Sequence, residues 1–326
     1  MCQGRTTAVN PYEYQRIGTE FILKTIRENS RWSQYAVEFS SAHPIGYEES
    51  NVVHGEYFQP LGVERAPLAI LVHGWGERGA VPCQMMAPSL AKRGIASFVL
   101  YLVFHPSRMP VAMKQRAPDL TPDEWYEGYR ASVIEIRQII DWAATRPEID
   151  ERKIGVVGVS MGGFISAIAM GVDERIGAGV FIISGGNSAR VTWESRRPAV
   201  ERRCLCTVEE CYQVRREVYP QYIAEVVAKG LENVSPPKRC FLTDPLTYTP
   251  FLRQRPVLMI NALWDEAIPK SATLDFWNEC GQPPIIWLPG THISVWLWYP
   301  LILRRTLEFI NTSLVNQEPP GNLSDV

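Results

Sequence analysis

The run Gly158-Val159-Ser160-Met161-Gly162-Gly163 puts a hydroxyl between glycines, after the apolar residues 154–159 and before the helix-forming residues 164–170. Strand, sharp turn and helix is the context that gives G-x-S-x-G its meaning. Such a turn strains its central residue and lifts the side chain above a sheet edge. Gly158 and Gly162 lack the side chains that would collide there. Ser160 is therefore read as a nucleophile. The rival reading, a Gly/Ser turn that fits by chance, leaves both flanks unexplained. A serine hydroxyl is weak alone, so the chain must also supply a base, a carboxylate to orient it, and donors for an oxyanion.

The chain has 5 histidines, and His292 in Pro289-Gly290-Thr291-His292 directly follows an apolar strand-like run. A histidine at that sheet edge can take the Ser160 proton and return one to a leaving group. The orienting carboxylate should also follow a strand. Residues 258–266 end in Asp265 and Glu266. Asp265 is preferred, because a short carboxylate just past the strand end can fix the imidazole tautomer. Glu266 is the alternative, otherwise a solvated loop charge. An oxyanion needs preorganised donors. The Met161 N–H, at a helix start, is one. The other is expected in His73-Gly74-Trp75-Gly76, where Gly74 and Gly76 allow close backbone approach and the Trp75 N–H is the donor. The His73 side chain is expected to brace this loop.

These residues need strands that end together. Residues 68–73, 95–104, 154–159, 177–184, 256–261 and 284–288 read as strands, with helices at 80–93, 121–145, 271–280 and 294–314 between or after them. Thr121-Pro122-Asp123-Glu124 is a capping box with proline at the first helical position. Strands alternating with helices imply an α/β fold with a mainly parallel sheet covered on both faces. Sites in such sheets lie at the carboxyl ends of the strands. Residues 35–41 and 51–59 read as a hairpin broken at Pro44-Ile45-Gly46. Residues 11–29 read as a helix with Ile17, Phe21, Ile22 and Ile26 on one side, outside the sheet. Residues 105–120 read as a loop, 149–153 as a turn, and the last helix as kinked at Pro300. Residues 187–251 are charged and helical, and are read as a lid inserted over the sheet edge. The tail, 316–326, is expected to be disordered.

The run of residues 150–163, with the order Ser160, Asp265, His292 and the early His73-Gly74, resembles the α/β-hydrolase superfamily. The resemblance is to its dienelactone hydrolase, acetyl xylan esterase and prolyl oligopeptidase side. It covers about residues 50–186 and 244–314, including Asp244-Pro245-Leu246, read as a junction between lid and sheet. The resemblance implies a single α/β-hydrolase domain that cleaves a small-molecule carboxylic ester through an acyl-enzyme, with no cofactor or metal. The alternatives are a peptidase or amidase with the same triad, and a non-catalytic binding protein. Dienelactone hydrolases proper use a cysteine nucleophile, and dehalogenases of the fold an aspartate; this chain has Ser160. The insertion resembles nothing placeable, so specificity stays open.

Composition excludes other classes. Charged residues are 21% and the formal charge is -2, which gives no case for nucleic acid or an anionic surface. No run of about 18 apolar residues suggests a membrane span. The 7 cysteines, with no leader-like start, favour free thiols and the cytoplasm. Cys204, Cys206, Cys211 and Cys240 do not follow a common zinc spacing, and buried thiols are preferred. Cys83 can line the pocket. The arginine pairs of the insertion interleave with glutamates and read as a solvated surface. Trp296 or Trp298 can wall a pocket for an apolar group. A homodimer through surface strands or the final helix is left open.

Overall fold

The computed structural model describes residues 10–16, 18–76, 78–115, 120–197 and 206–315. Its nine strands form one sheet: β1 Ile22–Glu28, β2 Trp32–Ser40, β3 Val52–Pro60, β4 Ala66–Val72, β5 Ala96–Leu100, β6 Ile149–Val159, β7 Ile176–Ile182, β8 Val257–Ala262 and β9 Ile285–Leu288. The order is β1-β2-β3-β5-β4-β6-β7-β8-β9. Every pairing from β5 to β9 is parallel, and β1, β2 and β3 are antiparallel. This is the mainly parallel sheet that the alternation of strands and helices implies, in the α/β-hydrolase arrangement that the resemblance implies.

All seven residues of β4 are buried, as a strand covered on both faces requires. Leu68, Ile70 and Val72 pack on one side with the helices Pro122–Ala143 and Met161–Val172. Ala69 and Leu71 pack on the other with Val81–Ala91 and Tyr299–Leu314. Both bonds of the capping box form at Thr121 and Glu124. Among the described residues no helix is long and apolar enough to cross a membrane.

The structure corrects four expectations. Residues 11–29 are not a helix: 22–28 are strand β1, with Leu23 opposite Val37 and Thr25 opposite Tyr35. Positions four apart share a side in a helix and in a strand alike, so the 22/26 spacing is degenerate. Ile22 and Ile26 are 59% and 54% exposed, whereas Phe21 stacks on Phe39 with ring centroids 4.1 Å apart. Ile17 lies outside the described residues. Residues 105–120 hold a short helix, Val111–Gln115, beside Arg108, whose buried guanidinium meets the Glu135 carboxylate at 2.7 and 2.8 Å. Residues 149–153 belong to β6 rather than to a turn. Pro300 does not kink a helix; it lies in the first turn of Tyr299–Leu314, after a 3₁₀ segment, Ser294–Trp298. A missing N–H costs nothing there.

The segment between β7 and β8 holds the helices Ser188–Glu194, Val208–Glu217 and Tyr219–Lys229; residues 198–205, including Arg202, Arg203 and Cys204, lie outside the described set, as does the tail 316–326. Asp244 ties the two ends of this segment together. Its buried carboxylate accepts from the N–H groups of Asn187, Ser188 and Leu246 and pairs with Arg215.

Two local devices set up the strand ends. Between β6 and the following helix the chain reverses at Ser160, with φ 51° and ψ −118°. The helix lies so close that a Cβ on Gly162 would fall 2.1 Å from the Val72 carbonyl oxygen, and one on Gly158 would fall 2.5 Å from the Gly162 oxygen. The second device is His73, at the end of β4. Its Nδ1–H donates to Gly74 O at 2.6 Å, and its Nε2 accepts from Leu102 N–H at 3.1 Å. Burial pushes its pKa down to about 3, so it remains a neutral brace.

Gly162→Ala is expected to lose about 2–3 kcal/mol or more of stability, since the obstacle is main chain and cannot rotate away; chemical denaturation checks this. The lowered His73 pKa also sets a sign. The unfolded chain binds a proton near pH 6.5 that the folded chain refuses until about 3. Stability from this group is present above 6.5 and lost as pH falls. In His73→Gln the loss of stability between pH 6.5 and 3 should be shallower by about one proton, measured as the pH slope of the unfolding free energy.

Candidate active site

Four strand ends deliver the predicted residues to one edge. Trp75 follows β4, Ser160 follows β6, Asp265 follows β8 and His292 follows β9. The parallel register fixes these ends side by side, with Ser160 N–H donating to Ile182 O at 2.8 Å and Ile183 N–H to Ile260 O at 2.7 Å.

Ser160 Oγ lies 3.0 Å from His292 Nε2. His292 Nδ1 lies 2.9 and 2.8 Å from the two carboxylate oxygens of Asp265. Asp265 Oδ1 also accepts from Ala267 and Ile268 N–H, both at 2.8 Å, so two backbone donors hold the carboxylate in place. The His292 and Asp265 side chains are 11% and 6% exposed. In this shielded setting an imidazole with Nδ1 protonated keeps Nε2 free to accept from a hydroxyl.

The loop after β4, expected to hold an oxyanion donor, passes close to the serine. A Cβ on Gly74 would sit 3.3 Å from Ser160 Cβ. Gly76 takes a φ of +104°, which a side chain would resist. The Trp75 ring packs on Phe104 and Trp125, with centroids 5.4 and 5.0 Å away. Met161 opens the helix Met161–Val172, whose first N–H groups have no partner within the helix.

Glu266 is not at the imidazole. Its Oε2 accepts instead from the backbone N–H of His292 at 2.9 Å, a contact that the sequence reading did not contain. Two further features escaped it. Ile183, a β-branched residue, has φ 44° beside the elbow, a strained position with no sequence signal. Gly79 turns so tightly that a Cβ would meet Gly74 O at 2.2 Å; its place in a glycine-rich run was the available clue. Cys83 is buried and its thiol is pushed up to about 12 by burial, which leaves little thiolate. The Trp298 indole N–H donates to Pro289 O at 2.7 Å and so braces the His292 loop. Among the described residues no His, Cys, Asp and Glu groups gather as a metal site. A cavity of about 270 Å³ between the insertion and the helix Lys270–Glu279 is lined by Arg215, Tyr219 and Asp275 but by no member of the Ser160 cluster.

The fold has parallels among solved structures. The chain is similar in structure to an acetyl xylan esterase from Paenibacillus sp. R4, at 19% identity and TM-score 0.61, over 92% of this chain and 90% of that one. It is likewise similar to acetyl xylan esterase 1 from Thermoanaerobacterium sp. JW/SL YS485, at 17% identity and TM-score 0.61, over 92% and 91%. A third likeness is to the acylaminoacyl peptidase of Pyrococcus horikoshii, at 18% identity and TM-score 0.58, over 89% of this chain and 43% of that one. At these identities the likeness is one of fold. No curated protein matches the chain. The family model described as alpha/beta hydrolase domain containing 18 matches residues 20–229, a stretch that holds Ser160 and the loop at Trp75 and stops short of Asp265 and His292. With more than half of its length matched, the chain belongs to the alpha/beta hydrolase domain containing 18 family.

Proposed function

We propose that this hydrolase-family chain is a serine hydrolase that cleaves a carboxylic ester through an acyl-enzyme. The observation that supports this most is the unbroken line from Ser160 Oγ to His292 Nε2 at 3.0 Å and from His292 Nδ1 to Asp265 at 2.8 Å, mounted on a strained turn.

Ser160 Oγ attacks the carbonyl carbon while its proton passes to His292 Nε2. The carbonyl oxygen becomes an oxyanion and accepts from the Met161 and Trp75 N–H groups, which need no reorganisation as charge develops. Asp265 stabilises the imidazolium and keeps its ring in place. The tetrahedral species collapses as His292 protonates the leaving alkoxide, and the alcohol departs. Water then gives a proton to His292 and attacks the acyl-enzyme, and His292 returns that proton to Ser160 Oγ as the acid leaves. Gly74, Gly76, Gly158 and Gly162 serve this chemistry by clearing space for the turn and the oxyanion loop.

Trp75, Val81, Met85, Trp264, Ile293 and Leu297 present exposed apolar surface on segments that follow β4, β8 and β9. This favours an apolar acyl or alcohol group. The inserted segment 187–251 acts as a lid that sets substrate choice, within a single domain. The buried free thiols Cys83 and Cys280 suit a reducing compartment such as the cytoplasm.

A chain-length series of p-nitrophenyl acyl esters tests the reading. Ser160→Ala is expected to lower kcat by about 10⁴-fold or more. Asp265→Asn is expected to lose about 10³-fold or more, because the amide favours the wrong tautomer. Unchanged turnover in Ser160→Ala would reject the proposal, and turnover of an aminoacyl amide with none of any ester would move it to a peptidase.

A further inference from the structure

Glu266 stands between the proposed catalytic histidine and the insertion. One carboxylate oxygen, Oε2, accepts the His292 backbone N–H at 2.9 Å. The other, Oε1, accepts from Arg197 Nη2 at 2.7 Å and Nε at 3.2 Å. The main chain repeats the link: Glu266 O accepts from Arg196 N–H at 2.8 Å and from Ser195 Oγ at 3.3 Å. Arg197 N–H in turn donates to Ser195 Oγ at 3.2 Å. Residues 195–197 leave the helix Ser188–Glu194, at the start of the insertion. The Asp265 oxygens are already taken by the imidazole and by the Ala267 and Ile268 N–H groups.

We propose that Glu266 is a positioning residue that fixes the His292 main chain and makes its placement depend on the docking of residues 195–197. This rests on the triad reading given above. The carboxylate suits that work. Its burial alone would raise its pKa, yet the His292 N–H and Arg197 together hold it below the ordinary glutamate range. It is thus charged at neutral pH, and a charged acceptor holds an N–H more firmly than a neutral one. A backbone anchor matters here because a misplacement of about 1 Å can cost a rate factor of about 10². The ion pair as a stabiliser counts for little, since its side chains are 27% and 40% exposed.

The test compares wild type, Glu266→Ala, Glu266→Gln, Arg197→Ala and the double variant Arg197→Ala/Glu266→Ala on the ester that wild type turns over best, with Ser160→Ala alongside. Glu266→Ala should lower kcat by about 10-fold with KM within about twofold. Glu266→Gln, whose amide oxygen still accepts the N–H, should recover to within about threefold of wild type. Arg197→Ala should cost about threefold alone and add nothing in the double variant, as two parts of one connection would. Melting temperatures should stay within about 3 °C. A Glu266→Ala enzyme with wild-type kcat, or a Gln variant as impaired as Ala with both melting early, would overturn the assignment while Ser160→Ala still reports the triad intact. Wild-type turnover that survives Ser160→Ala would overturn the triad reading and this inference with it.

Discussion

The strained turn at Ser160 is the constraint on which the site depends. A serine with φ 51° and ψ −118° costs on the order of 1–3 kcal/mol and persists only where its surroundings leave no alternative. Here the surroundings are main chain. The helix that starts at Met161 is pressed against the ends of β4 and β6 so tightly that Gly158 and Gly162 have no room for a Cβ. Gly163 is closed in by Ser184, where a Cβ would meet the hydroxyl oxygen at 2.4 Å. The packing that forces the turn also sets the start of the helix at Met161, so the proposed nucleophile and the proposed oxyanion donor of that helix come from one constraint.

The rest of the edge is arranged around that fixed point. His73, neutral and buried, ties the end of β4 to the start of the loop after β5 and so holds the Gly74 main chain over the serine. Asp265 is held by two backbone donors before it meets the imidazole. The imidazole loop is held by Glu266 and by the Trp298 indole. Each group of the proposed site is thus fixed by a neighbour outside it, which in the proposed reaction keeps the cost of orientation out of the chemical step.

What was legible in the sequence divides along physical lines. The turn at Ser160 and the strand ends that carry Trp75, Asp265 and His292 were readable because a strand end and its turn are specified by a few adjacent residues. The sheet followed from apolar runs too short and too continuous for anything but buried strands. The first strand was not readable, because Ile22 and Ile26 fit both periods and only pairing with β2 decides between them. Proline 300 was misread because its effect depends on whether it falls inside a helix or in the first turn. Contacts between distant residues left no local trace. Arg108 with Glu135, and Arg197 with Glu266, look like ordinary surface charges until the fold brings them together. The family model likewise matches only as far as residue 229, so the roles proposed for Asp265 and His292 rest on geometry.

The most direct test of the central claim is intact-mass and peptide mapping after reaction of the full chain with a fluorophosphonate. The account predicts one adduct per chain, on the peptide that holds Ser160, formed fast in wild type and at least about 10³-fold more slowly when His292 is replaced by alanine. An adduct on another residue, or a folded chain that takes no label, would contradict it.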